Sequence, residues 1–340
     1  MNTPDSLIAT RKRWPVFGAI GAVLGVILIA ILALMWWWDY EPASLDVQRE
    51  AQRRADAVKQ PVVVGSVTTA TLIASVETLL DKRGGYLSND LLPPGVFMDN
   101  VPNWEFGVLT ASRDLARALR NDFSRSQSQS TEDPDLREAD PLLSSPNDRW
   151  LLPSSESQYR KAARHLDGYL VRLADNDQSN AQFYARADNL SDYLQLVSSR
   201  LGSLSQKLSA SVGQMRLDTE LAGDPSAEQS KPGPGPRIVQ TEWTKIDDNF
   251  YEARGYTWAL LQQLHAMERD FGGVLRDKNA VVSMQQVVRE LGEAQKGLSS
   301  PVVLNGTPFG FFGNHSLVMA NYVSRANAAI IDLRKLLERG

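Results

Sequence analysis

Cysteine is absent from the 340-residue chain, which excludes disulfides, thiolate nucleophiles and cysteine-ligated metals. Histidine is scarce: only His165, His265 and His315 occur. Nowhere is there a GxSxG elbow, an SxxK pair, an HExxH helix or a Walker phosphate loop. His265 and Glu268 do share a helical face, but a di-iron bundle reads Glu-x-x-His with further inward glutamates. Here the order is reversed and no second copy exists, so no metal and no other cofactor is expected. An excess of basic charge is missing too. Setting aside Asp5, Arg11, Lys12 and Arg13 leaves 33 basic and 39 acidic residues, a net charge near −6 that gives nucleic acid no electrostatic reason to bind. Strand-like alternation of useful length is lacking; PVVVG and PVVLNG are too short to make a sheet.

What the chain does have is one uncharged apolar run from Val16 to Trp38, preceded by Arg11-Lys12-Arg13 and followed by Asp39 and Glu41. About 20 such residues cross the hydrocarbon of a bilayer as a helix. The run outlasts a signal-peptide core and ends in three tryptophans where cleavage needs small residues. It therefore reads as an uncleaved anchor, with Trp14 at one interface and Trp36, Trp37, Trp38 and Tyr40 at the other. The dense basic cluster puts residues 1–15 in the cytoplasm and residues 39–340 across the membrane. Gly21 and Gly25 form a GxxxG that would let two such helices approach, so a homodimer through the span is one expectation.

Beyond residue 38 the patterning is helical, and the expected fold class is all-α: a single transmembrane helix followed by a large helical bundle. Apolar stripes suggest helices over 43–59, 66–82 and 108–123. The Pro-rich segment 91–107 is expected to be irregular, because Pro93, Pro94 and Pro102 each remove a donor. Residues 124–149 read as a solvated loop with at most one helical turn. Ser155 and Gln158 suggest a capping box for a helix reaching Leu173. Two stripes of equal length run from Phe183 to Leu208 and from Ile246 to Phe271, the second opening on a Thr244–Asp247 capping box. They predict an antiparallel hairpin over about 180–272, closed by the Pro/Gly-rich loop at 222–237. Further helices are expected at 279–298 and 315–338, the last capped by Asn314.

Several phrases together resemble a known family: WWWDYEPASLDV, LPPGVFMDNVPNWEFGVL, NDRWLLPSSESQYRKA, AQFYARADNLSDYLQL, IDDNFYEARGYTWALL and NHSLVMANYVSRANAAIIDLRKLL. They are similar to proteobacterial single-pass membrane proteins grouped as domain of unknown function 2333. The resemblance implies an inner-membrane anchor and one long C-terminal domain, which the orientation set by the basic cluster then puts in the periplasm. It implies no activity and no catalytic residues.

Two clusters set polar groups among apolar ones. Trp104 and Glu105 lie in the Pro-rich segment, where loop aromatics and acids can meet a partner. Phe309, Phe311, Phe312 and His315 lead into the last helix, where Asn321 and Arg325 stack one turn apart. These residues are candidates for a binding site; the competing reading is a hydrogen-bonded network that holds the last helix in register. No residue is nominated as catalytic. The leading functional expectation is a non-catalytic scaffold or adaptor of the cell envelope, acting through an unidentified envelope protein. The alternatives are a periplasmic lipid or small-molecule binder with a pocket between bundle helices, and an envelope hydrolase with paired carboxylates.

Overall fold

The computed structural model describes residues 14–126, 131–175, 177, 180–216, 237–300, 302–308 and 310–339. The basic cluster at 11–13, Phe309 and all but the last residue of the 222–237 loop lie outside this set. Helix α1 is Trp14–Trp38, and its Phe17–Trp38 portion has a mean hydropathy of 2.8 with none of that apolar stretch buried in the fold. By length and composition it is a candidate membrane span.

The bundle follows the expected all-α class. Asp46 starts α2 (Val47–Val58) by accepting from the Arg49 amide, and Lys59 ends it in a left-handed conformation at φ 56°. Helix α3 (Ser66–Asp81) is buried over most of its surface, Thr68, Thr69 and Thr71 included. Its N-terminus is capped from a distance: the Asp270 carboxylate accepts from the Thr68 amide at 2.7 Å.

The Pro-rich segment departs from expectation. Helix α4 runs Asn100–Ala118, starting eight residues earlier than the apolar stripe suggested. Asp99 accepts from the Asn100 amide, and Pro102 falls in the first turn, where a missing N–H costs no intrahelical bond. The helix then widens over Leu119–Phe123, turning Phe123 into a cluster with Phe183, Tyr193 and Phe271. Residues 124–149 also exceed the predicted loop. They hold the three-turn helix α5 (Pro134–Leu143), nucleated by Asp133 at its cap and Pro134 in its first turn.

Helix α6 (Ser155–Leu173) is capped by Ser154, one residue before the predicted position, since Ser155 turns inward to the Pro146 carbonyl. Helices α7 (Ala187–Ser209) and α8 (Ile246–Asp270) are antiparallel, with Tyr193 bonded to Gln263 near one end and Lys207 to Glu252 near the other. A short ribbon, Gln214–Arg216 against Arg237–Val239, lies between them in sequence. Yet their stripes do not chiefly face each other. Helix α7 packs mainly on α11 (His315–Glu338), and α8 mainly on α4. The predicted Thr244–Asp247 box is absent, because a tight turn at Trp243–Lys245 leads straight into α8. Helix α9 (Gly272–Asp277) and helix α10 (Val281–Ala294) complete the chain, α10 lying against both α8 and α11.

The outcome is a bundle arranged around α8, which touches α2, α3, α4, α7, α10 and α11. A single stripe undersells this helix: Arg254, Thr257, Gln262 and Gln263 are buried with their apolar neighbours. They are tolerated because they are paired. Gln263 bridges the Tyr193 hydroxyl and the Ala111 carbonyl, and Thr257 accepts from Gln295.

Candidate functional site

Helix α1 meets the bundle at the N-terminal end of α8. Trp38 packs against Gly84, and the Arg83 guanidinium lies 4.2 Å from the centroid of the Tyr40 ring. Glu41 then forms an ion pair with Arg254, whose side chain is 4% exposed. The same guanidinium donates to the Ala294 carbonyl at 3.3 Å and the Lys296 carbonyl at 3.0 Å. One buried cation thus ties the segment after α1 to α8 and to the end of α10. Four residues on, the Leu45 amide donates to Gln262 at 3.1 Å. Carboxylates rim this end. Burial, reinforced by Glu41 and Asp99, raises Asp39 above the ordinary carboxylate range, and burial together with Asp247 and Asp99 does the same for Asp248.

Beside this junction an open cleft of about 460 Å³ lies between residues 40–45, α2 and α3. Its acids are held by guanidinium groups. Glu50 meets Arg53 at 2.7 Å, Glu77 meets Arg54 at 2.5 Å, and Asp81 meets Arg160 at 2.7 Å. Each of these acids thus has a cationic partner within hydrogen-bond distance, and the cleft carries a rim of paired charges.

The residues singled out in the sequence are dispersed. Trp104 and Glu105 sit on the second turn of α4 and face the core. Trp104 packs against Trp258, the ring planes tilted by 58° and the centroids 5.3 Å apart, and its indole Nε1 has no hydrogen-bond partner among the described residues. Glu105 is fully buried and holds the loop after α3. It accepts from the Leu87 amide at 2.9 Å and the Ser88 amide at 2.8 Å, and pairs with Lys82 at 2.5 Å. Burial raises its pKa, with Lys82, Ser88 and Leu87 pulling the other way. Arg325 is exposed and donates to the buried Glu290 of α10 at 2.7 Å, pinning α10 to α11. Asn321 faces solvent. Gly21 and Gly25 lie on the exposed surface of α1 with no atom of the fold near them.

The described residues of the segment leading into α11, 302–308 and 310–314, are closed by backbone bonds. The Gly306 amide donates to the Gly313 carbonyl at 3.0 Å, and Asn314 caps α11 through the Leu317 amide at 2.8 Å. Gly306 is crowded by the Phe312 carbonyl oxygen, which lies 2.2 Å from where a Cβ would stand. At the loop tip Phe311 and Phe312 are exposed and meet edge to face, 5.4 Å apart. His315 lines a cavity of about 230 Å³ with Phe250, Arg254, Met319 and Tyr322; neither Trp104 nor Glu105 reaches it.

His315 Nδ1 accepts from the Leu304 amide at 3.1 Å, so the imidazole must be neutral to hold this loop. Burial lowers its pKa below 6.5. A base depressed in the folded state contributes stability above its unfolded value and loses it as the pH falls through 6.5 toward the folded value. The protection factor of the Leu304 amide, its intrinsic exchange rate at each pH divided by the observed rate, is therefore expected to fall on acidification across that window. His315→Gln, which cannot titrate, should abolish the pH dependence.

Sequence reasoning overlooked Arg254, Glu41 and Lys82. The available signal was Arg254 itself, a lone cation in the apolar stretch between Phe250 and Leu260. A charge on an otherwise buried face implies a buried partner. Among comparisons with known proteins, a family model described as an uncharacterized protein conserved in bacteria, domain of unknown function 2333, matches residues 10–340. No curated protein and no solved structure matches the chain.

Proposed function

Because the chain belongs to that bacterial family, whose description carries no activity, we propose its function from the geometry alone: a membrane-anchored, non-catalytic scaffold of the cell envelope. In this reading α1 spans the inner membrane once, residues 1–15 are cytoplasmic, and the bundle stands in the periplasm. The observation that carries it is the junction. Trp38, Tyr40, Glu41 and Leu45 are all built into the bundle, so the segment just after α1 is part of the fold rather than a cleavable leader or a slack tether. An anchor coupled this rigidly fixes the position and orientation of the domain, which suits docking. The polar groups singled out in the sequence support the same reading. Glu105, Arg325 and His315 each hold one element to another. The open cleft at α2 and α3, with its alternating paired charges, is the face we assign to an envelope protein partner.

The test is gentle extraction of the tagged chain from native membranes, with a photo-crosslinking residue placed at Thr78 in the cleft. A stoichiometric envelope protein, crosslinked at Thr78 and lost when Arg53 and Arg83 are both replaced by glutamate, is the expected result. A bound lipid or metabolite with no protein adduct would replace the scaffold reading by the ligand-binding one, centred on the 230 Å³ cavity at His315.

A further inference from the structure

The exposed aromatic residues of this domain are not scattered. Among the described residues beyond α1 they are Tyr40, Phe97, Trp150, Trp243, Phe311 and Phe312, and all six lie on connecting segments at one end of the bundle. It is the end at which α1 enters. Phe97, Met98 and Asp99 line one cleft of about 170 Å³ together with Met35 and Trp36 of α1. Leu91 and Leu92, both exposed, precede that loop. Just before them, Asn89 donates to the Arg149 carbonyl at 3.0 Å, which sets Trp150, Leu151 and Leu152 alongside. Trp243 immediately precedes α8, whose Asp248 accepts from Asn103 in the first turn of α4 at 2.7 Å. Phe311 and Phe312 crown the loop closed by His315, and the His315 ring lies 6.5 Å from that of Phe250 near the start of α8.

The exposure is high: Leu152 is 91%, Trp243 83% and Phe311 97% accessible. Four separate segments presenting such side chains on one end exceed what a water-facing surface normally carries. The depth of that end relative to α1 identifies what it meets. If α1 crosses a bilayer, Met35 and Trp36 mark the boundary between hydrocarbon and headgroups, and Phe97 shares their cleft. Tyr40, Trp150 and Trp243 have the polar edge that is favoured at that boundary, Phe97, Phe311 and Phe312 add apolar area beside them, and the acidic rim of Asp39, Asp99 and Asp248 would stand on the aqueous side.

We propose that the tips at 91–97, 150–152, 243 and 311–312 rest in the headgroup layer of the bilayer that α1 spans, seating the domain end-on. The proposal depends on α1 being a membrane span. Each tip adds apolar area to one side of the anchor, so the bundle is held against tilting about the α1 junction. The aromatic pair at Phe311 and Phe312 thereby becomes a lipid contact, leaving the α2–α3 cleft free for protein.

A chain without cysteine lends itself to the test. Single cysteines carrying a nitroxide replace Leu92, Leu152, Trp243 and Phe312 in the full-length protein. The protein is reconstituted in vesicles of phosphatidylethanolamine and phosphatidylglycerol. Val26→Cys in α1 gives the hydrocarbon reference. Val282→Cys at the start of α10, beyond the far end of α8, gives the aqueous one. The expected result is a ratio of oxygen to nickel-chelate collision rates several-fold above that at Val282 for all four tips, and below that at Val26. Tip labels that match Val282, or that are shielded from both reagents by protein, overturn the proposal. A Val26 label that reads as aqueous, with the chain released by alkaline carbonate, overturns the span reading as well. A lipid signal at Val26 with aqueous tips overturns the seating alone.

Discussion

Gly255→Ala is expected to lower the stability of the bundle more than any other addition of a single methyl group, with Gly107→Ala close behind. Helices α4 and α8 cross at these two residues. A Cβ on Gly255 would stand 1.9 Å from the Trp104 carbonyl oxygen, and one on Gly107 would stand 2.1 Å from that of Glu252. Both obstacles are backbone, so neither clash can be relieved by rotating a side chain; one helix must move off the other. Overpacking in a core costs ~1–3 kcal/mol where side chains can adjust, and here we expect about 3 kcal/mol or more. The sign makes the test sharp. Alanine in place of glycine within a helix otherwise stabilises by roughly 0.5–1 kcal/mol, and Gly292→Ala in α10, where no atom lies within 4 Å, should show that gain. Urea unfolding followed by tryptophan emission reports both, since Trp104 and Trp258 pack beside the crossing. A Gly255→Ala protein as stable as the parent would mean that α4 and α8 do not approach this closely.

The crossing also shows what the sequence disclosed and what it hid. Helix α11 was legible to the residue: Asn314 is a capping type, and Met319, Val323, Ala326 and Ile330 repeat at helical spacing, all buried in the structure. Apolar spacing also placed α3, α6 but for its cap at Ser154, and α7 but for its start, which lies at Ala187 rather than Phe183. It said least about which faces are buried on helices enclosed from several sides. Helix α8 is enclosed by six others, so its polar residues are inside with its apolar ones, and the three-four rhythm marks only part of the buried surface. Its preferred neighbour was invisible for a related reason. Equal stripe lengths favour a partner adjacent in sequence, but close approach is decided by where glycines coincide, and Gly255 meets Gly107 on a helix more than a hundred residues earlier. Proline misled twice in one direction. Pro102 read as a breaker and Pro134 lay in a segment read as loop, yet each stands in a first turn after an aspartate cap, where proline is compatible with a helix. The candidate site suffered most. Polar residues close in sequence, such as Asn321 and Arg325, stay apart in role, while the junction at Arg254 joins positions 41, 254 and 294–296.

Glu105→Ala is expected to destabilise the fold by about 3–5 kcal/mol, the range for removing one member of a buried ion pair. The side chain is fully buried and its partner Lys82 is 3% exposed, so the substitution strands an ammonium away from water. It also orphans the amides of Leu87 and Ser88, which have the carboxylate as acceptor. Glu105→Gln should cost less, because its carbonyl can still accept one of those amides. Lys82→Met should cost least, since the methionine stem fills the same volume and the carboxylate retains its amide donors, although burial then favours its protonation. In the Lys82→Met, Glu105→Ala double variant the stranded charge is gone, so the combined loss is expected to fall below the sum of the two single losses. This ordering separates the structural role of Glu105 from the binding role its sequence neighbourhood suggested. The loop it holds carries Gly84 and Arg83, which pack on Trp38 and Tyr40, so weakening Glu105 should also loosen the α1 junction. Faster hydrogen exchange at the Leu87 and Ser88 amides and at the α1 junction, before global unfolding, is the expected signature. Uniform exchange with an unchanged midpoint in Glu105→Ala would return the residue to the list of ligand-binding candidates.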